Sequence, residues 1–227
     1  MTDLCALTIG EAGSLLAARH ISPKEYVAAH LDRIARVDPH LNAFIEVRAD
    51  EAMREASQAE AEINTRGRRG TLHGVPIAIK DIIDVEGMAT TAHSRIAASR
   101  RAQSDADVVR RLRDAGAIII GKTALHEFAT GGPSFDLPWP PARNPWLLSH
   151  HPGGSSSGSA VAVAARMAPG AIGTDTAGSV RHPATACGMV GLKPTYGVVS
   201  RRGVFPLSFS LDHVGPLART VADCTAI

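Results

Sequence analysis

Cysteine is sparse in this chain, and what there is does not pair by spacing. Cys5, Cys187 and Cys224 are odd in number, far apart and without a CxxC, which argues against a disulfide framework and fits a reducing compartment. No apolar run approaches the ~18 residues that a membrane span needs. The first residues carry acidic Asp3 and Glu11 and lack the basic stretch and long apolar run of a secretory signal, so a soluble cytoplasmic protein without membrane contact is expected. An excess of one charge is also missing. Twenty-four Lys and Arg face 22 Asp and Glu for a net +2, which gives no electrostatic reason to invoke nucleic acid. The short basic clusters Arg66, Arg68, Arg69 and Arg100, Arg101 read as solvated loop surface. No internal repeat or low-complexity tract is present.

What the chain does have is 44% hydrophobic residues over 227 positions, enough to bury a sizeable core in one large domain or two small ones. Residues 7 to 64 read as helices. Ser22-Pro23-Lys24-Glu25 is a capping box with proline at the first helical position, and Val27, Leu31 and Ile34 share a face until Asp38-Pro39 stops the pattern. A second amphipathic run places Ala52, Ala56, Ala59 and Ile63 on its apolar side. After Gly74 the period changes. Val75 to Ile79 is a short β-branched run that delivers Lys80-Asp81 at its end, and Ile82, Ile83 and Val85 suggest another brief extended piece. A helix through Val108, Leu112 and Ala115 leads to the strand-like run Ala117 to Ile120. An Ala-rich helix near 157–168, a strand near 171–174 and extended pieces near 188–199 follow. Residues 131 to 153 read as a surface loop pinned by Trp139 and Trp146. Thr220 caps the first turns of a last helix with little to pack against. The expected fold is α/β, a mixed sheet sandwiched by helices, with a helical segment over 1–70 and the core over 71–227 forming one structural domain.

Two Gly/Ser loops draw the chemistry: Pro152-Gly-Gly-Ser-Ser-Ser-Gly158 and Gly173-Thr-Asp-Thr-Ala-Gly-Ser179. Glycine lets amide N–H groups approach a ligand, and serine at such turns can serve as a nucleophile. Lys80, at the end of an apolar run, becomes a general base if desolvation lowers its pKa; the competing reading is an exposed lysine paired with Asp81. Gly154-Ser-Ser156-Ser-Gly158 matches G-x-S-x-G, but no buried strand precedes it as a nucleophile elbow requires. His182, His213 and Asp212 would complete that alternative triad only on paper. The glycine-rich loop lacks the Lys-Ser/Thr ending of a phosphate-binding loop. His126-Glu127 and His150-His151 lack metal-ligand spacing, so no metal is expected.

Taken together, Gly74-Val-Pro-Ile-Ala-Ile-Lys80-Asp81, Pro152-Gly-Gly-Ser155-Ser156, Gly173 to Ser179 and Cys187-Gly-Met-Val-Gly-Leu-Lys-Pro194-Thr195 closely resemble the amidase signature family. Gly121 to Phe128, Asn144-Pro-Trp146 and Ser210 to Pro216 extend the likeness over nearly the whole chain, in order. The resemblance implies a Ser-cisSer-Lys triad: Ser179 as acylated nucleophile, Ser155 as bridging serine across a cis Gly154–Ser155 peptide, and Lys80 as base. It implies an oxyanion hole from the N–H groups around Thr176, Ala177, Gly178 and Ser179, with Asp175 and Arg181 holding the loop and Ser156 in support. No metal or organic cofactor is needed. Ala177 stands where glycine is common, which suits a negative φ, and Arg166 stands where a small residue usually closes the helix.

Members of that family are usually longer, so the resemblance covers their N-terminal part, and an incomplete sheet would expose an edge that favours a homo-oligomer. The activity implied is hydrolysis of a small-molecule carboxamide, with esters as further substrates. The alternatives are the glutaminase-like subunit of a tRNA-dependent amidotransferase, which needs partner subunits, and an inactive fragment acting as an interaction module.

Overall fold

β-branched and alanine-rich runs, rather than long amphipathic strands, build the centre of this protein, and they build it around one sheet. The computed structural model describes residues 3–227. In chain order the elements are α1 (Ile9–Ala17), α2 (Pro23–Leu41), β1 (Phe44–Val47), α3 (Ala49–Arg66), β2 (Pro76–Lys80), α4 (Asp107–Asp114) and β3 (Ile118–Thr123). They continue with α5 (Ser157–Ala164), β4 (Gly170–Asp175), α6 (Arg181–Cys187), β5 (Val190–Gly191), β6 (His213–Ala218) and α7 (Val221–Ala226). The six strands form one mixed sheet in the order β1-β3-β2-β4-β6-β5. Its centre is parallel, β2 lying between β3 and β4, while β1 and β6 run antiparallel to their neighbours.

Both faces of the sheet are covered, as its near-continuous apolar strands require. Ala78, Ile118, Ile120 and Ala171 pack with Val27, Ile34, Ala56 and the apolar side chains of α5. Ile77, Ile79, Ile119 and Ile172 point the other way, toward Ile9, Leu16, Val109 and Leu112. The pairing of β2 with β3 slips by one residue: Ile77 faces Ile119 and Ala78 faces Gly121, leaving Ile120 as the extra residue. A bulge of this kind re-aims the side chains beyond it. Gly121 is required there, because a Cβ would run into the Glu46 carbonyl and the Phe44 ring.

The capping box at Ser22 and Glu25 forms as the sequence indicates, with reciprocal hydrogen bonds of 3.1 and 2.7 Å, and a second joins Thr8 and Glu11. Pro39 does not end α2. It lies in the last turn, where it forfeits one N–H···O=C bond without ending the helix, and Asn42 terminates the helix at φ 54°. The Asp38 carboxylate then accepts from Ala43 and Phe44 N–H at 2.7 and 3.2 Å and turns the chain into β1. That strand interrupts the stretch expected to be helical throughout.

Ile82, Ile83 and Val85 form no strand. Ile82 and Ile83 both donate backbone N–H to the Lys80 carbonyl, a tight turn off the end of β2. Of the extended pieces near 188–199 only β5 is a strand. Helix α7 does have a partner, contrary to expectation: Thr220 caps it, and the buried Asp223 accepts Ile9 N–H at 2.8 Å, tying α7 to the start of α1. Arg68, partly buried, donates to the Gly13, Thr71 and His73 carbonyls and is structural, whereas Arg100 stays exposed and pairs with Asp84 at the surface. Among the described residues no helix is long and apolar enough to cross a membrane.

Candidate active site

The apolar residues of β2 carry Lys80 into the sheet, and its side chain is fully buried. It shares the face of Ala78, on which α5 packs, and there Nζ lies 2.8 Å from Ser155 Oγ and 2.7 Å from Thr174 Oγ1. Among the described residues no carboxylate pairs with it. Asp81 turns instead to Lys122, whose Nζ lies 2.7 Å from Asp81 Oδ1; the bulge in β3 has placed Lys122 on the opposite face. Burial pushes the Lys80 pKa down to about 7, against the opposing charges of Asp175 and Asp212. An amine that is partly neutral near neutral pH can accept a proton from a hydroxyl.

Ser155 and Ser156 enter from the loop that leads into α5. The Gly154–Ser155 peptide is cis, and the Ser155 carbonyl accepts His126 N–H at 3.1 Å. Ser156 is not presented as an elbow nucleophile would be. Its Oγ donates to the Thr174 carbonyl and accepts Thr174 N–H, both at 3.2 Å, locking it onto β4 with no exposed surface. Its N–H donates to the Ser179 carbonyl at 3.1 Å, which seats the second loop against the first.

Asp175, at the end of β4 and fully buried, organises that second loop. Its carboxylate accepts the N–H groups of Gly178 (2.8 Å), Val180 (3.1 Å) and Arg181 (3.4 Å). It also takes the Arg181 guanidinium at 3.0 and 2.9 Å. The hydrogen bonds of Arg181 and the loop N–H groups hold its pKa below the usual carboxylate range although burial opposes them. Of the expected oxyanion donors, the Gly178 N–H donates to Asp175 in this structure. The N–H groups of Thr176, Ala177 and Ser179 have no protein acceptor among the described residues. Ala177 does not adopt positive φ. Ser179 is half-buried, with a hydroxyl that makes no hydrogen bond among the described residues, so Lys80 and Ser155 are joined but no hydrogen bond links Ser155 to Ser179. Such links are often loose until a reactant is bound.

A cleft of about 360 Å³ opens beside the loop, lined by Thr174 and Thr176 and walled by Ile82, Val204, Phe205 and Leu207 among others. The paper triad is not assembled: Asp212 binds Thr176 and the 207–208 backbone, while His213 Nδ1 faces the Leu211 and Asp175 carbonyls. No cluster of metal-binding side chains occurs among the described residues. The sequence did not single out Thr174, the second partner of Lys80, and raised His126 only as a candidate metal ligand, whereas its ring packs against Gly154 and its backbone N–H holds Ser155. Thr174 is legible only once β2 and β4 are known to be neighbours.

The family model for amidases matches residues 25–227. The chain belongs to the amidase family. A glutamyl-tRNA(Gln) amidotransferase subunit from Acidothermus cellulolyticus is 51% identical over 223 residues, covering 98% of this chain and 44% of that protein. The native peptide amidase of Stenotrophomonas maltophilia superposes with a TM-score of 0.91 at 44% identity, covering 98% of this chain and 48% of the other. The corresponding glutamyl-tRNA(Gln) amidotransferase subunit from Thermotoga maritima gives 0.83 at 40% identity, with 99% and 46% covered. The chain thus spans about half the length of the amidase relatives it matches.

Proposed function

We propose that this chain carries the acylating centre of an enzyme that hydrolyses carboxylic acid amides, with Ser179 as nucleophile, Ser155 as relay and Lys80 as base. The observation that carries this reading is the buried, carboxylate-free Lys80 sharing its ammonium position with Ser155 and Thr174. Neutral Lys80 accepts the Ser155 proton, and Ser155 accepts that of Ser179 as Ser179 Oγ attacks the amide carbonyl. The tetrahedral oxyanion is met by the free N–H groups of the 176–179 loop; one such donor is worth ~10²–10³ in rate. The proton returns through Ser155 to the departing amine, and water attacking the acyl-serine releases the acid. A cytoplasmic location accompanies this reading, supported by three unpaired, buried thiols.

The second reading, a glutaminase-like component of an amidotransferase that works with partner subunits, is favoured by the 51% identity to the Acidothermus cellulolyticus amidotransferase protein. Hydrolysis of a simple aryl amide by the isolated chain, lost in Ser179→Ala and Lys80→Ala, supports the first. Glutamine hydrolysis that appears only when amidotransferase partner proteins are added supports the second. Turnover unaffected by either substitution overturns both.

A further inference from the structure

The loop that carries Ser179 is fastened at two points by two different carboxylates. Asp175 holds its far end through Gly178, Val180 and Arg181. Its near end is held by Asp212, whose Oδ1 accepts the Thr176 hydroxyl at 2.5 Å. Asp212 is buried and sits immediately before β6, and its carboxylate also accepts Leu207 and Ser208 N–H at 2.9 and 3.0 Å. Leu207 lines the same cleft as Thr176. The three free N–H donors lie at or between these two fixed points, on Thr176, Ala177 and Ser179.

We infer that Asp212 is a positioning residue that locks the start of the nucleophile loop to the 207–208 wall of the cleft, so that oxyanion donors and wall keep one geometry. This rests on the acyl-serine reading above. The physical ground is preorganisation: donors fixed before reaction need no reorganisation when charge develops, and a misplacement of about 1 Å costs ~10²-fold. A carboxylate suits the task because it offers only acceptors. An amide side chain turns an N–H₂ toward at least one of the backbone N–H groups it now serves.

Asp212 also bears on Lys80 by charge. The charged groups acting on Lys80 are Asp175 and Asp212, both favouring its ammonium form, and Lys80 in turn disfavours protonation of His126. Removing the Asp212 charge therefore lowers the pH at which Lys80 becomes neutral. Removing only the Thr176 hydroxyl leaves that pH where it was.

The test compares Asp212→Asn, Thr176→Val and Thr176→Ser with the parent chain on p-nitroacetanilide, reading kcat, KM and the pH profile. Expected are losses in kcat of about 10- to 100-fold for Asp212→Asn and Thr176→Val, near-parental kcat for Thr176→Ser, and an acidic limb displaced to lower pH in Asp212→Asn alone. Parental kcat in Thr176→Val, or equal losses in Val and Ser variants, overturns the inference while leaving the amidase reading intact. A parent chain that neither turns over the amide nor is modified at Ser179 by a fluorophosphonate removes that reading and this inference with it. Should Asp212→Asn fail to fold, the Thr176 pair decides the question.

Discussion

Lys80 and Lys122 stand on neighbouring strands of one sheet, both fully buried, and among the described residues only Lys122 of the two has a carboxylate partner. The bulge between them sends their side chains to opposite faces. Burial lowers the pKa of both, but Lys122 is compensated by Asp81 at 2.7 Å, and breaking such a buried pair leaves an uncompensated charge. Lys80 is left with two hydroxyls and is the lysine suited to proton transfer.

The first prediction is a pH profile. With Lys80 near 7, kcat/KM for an aryl amide rises as pH increases through about 7 and the amine loses its proton. Lys80→Met lowers kcat/KM by ~10²–10⁴, the usual worth of a positioned base. A profile flat from pH 5 to 9 would refute the assignment.

Stability should follow the same group, rising with pH as it does for any group whose folded pKa is depressed. The folded pKa of about 7 lies below the ordinary 10.5, so between those values the unfolded chain binds the extra proton and stability rises with pH. Below about 7 the buried ammonium is a full liability. The urea midpoint of the parent chain should climb relative to Lys80→Met between pH 7 and 9; parallel curves count against a depressed Lys80.

Ser156 and Ser179 separate by experiment. Ser156→Ala strands the Thr174 N–H it now accepts, a loss of about 1–3 kcal/mol, yet leaves the nucleophile in place. Ser179→Ala leaves the fold unchanged and abolishes labelling by a fluorophosphonate. Peptide mapping of the labelled protein checks both; modification of Ser156 would restore the elbow reading.

Gly173 allows Ser156 to reach β4. A Cβ there would stand 2.7 Å from Ser156 Oγ and 2.9 Å from Leu217 Cδ1. Gly173→Ala should therefore cost about 1–3 kcal/mol by overpacking and reduce amide turnover, measured by urea unfolding and steady-state kinetics. Gly10→Ala, with nothing near its added methyl, is the control.

Acid should weaken the fold through two histidines. Burial pushes both His30 and His126 down to about 4, from an ordinary 6.5. Between pH 6.5 and 4 the unfolded chain takes up protons that the folded chain refuses, so stability falls as pH falls through that window. His30→Gln and His126→Gln should each flatten the decline in urea midpoint from pH 7 to 4.5.

Local signals were sufficient for the helix starts at Ser22 and Thr220, because a cap is made by residues within one turn. They were sufficient too for the apolar run that buries Lys80, and the motif order identified both loops. They misplaced the end of α2, which continues past Asp38-Pro39 to Leu41, and missed β1 and β6. Phe44–Val47 shows no alternation of burial, and β6 contains Gly215 and Pro216, which read as breakers until β4 is beside them.

The sequence by itself determined most of the helices, the two central strands β2 and β3, the mixed α/β class and the residue types that converge, since periodicity, capping and glycine placement act over a few positions. Tertiary structure alone decided which lysine is free. That choice depends on a one-residue bulge in β3 and on where Asp81 turns after β2. It also decided that Gly178 N–H donates to Asp175, and that Lys80 meets Thr174 as well as Ser155. Each of these facts depends on strands and loops brought together from separate parts of the chain, and only the closed sheet sets them within hydrogen-bond reach.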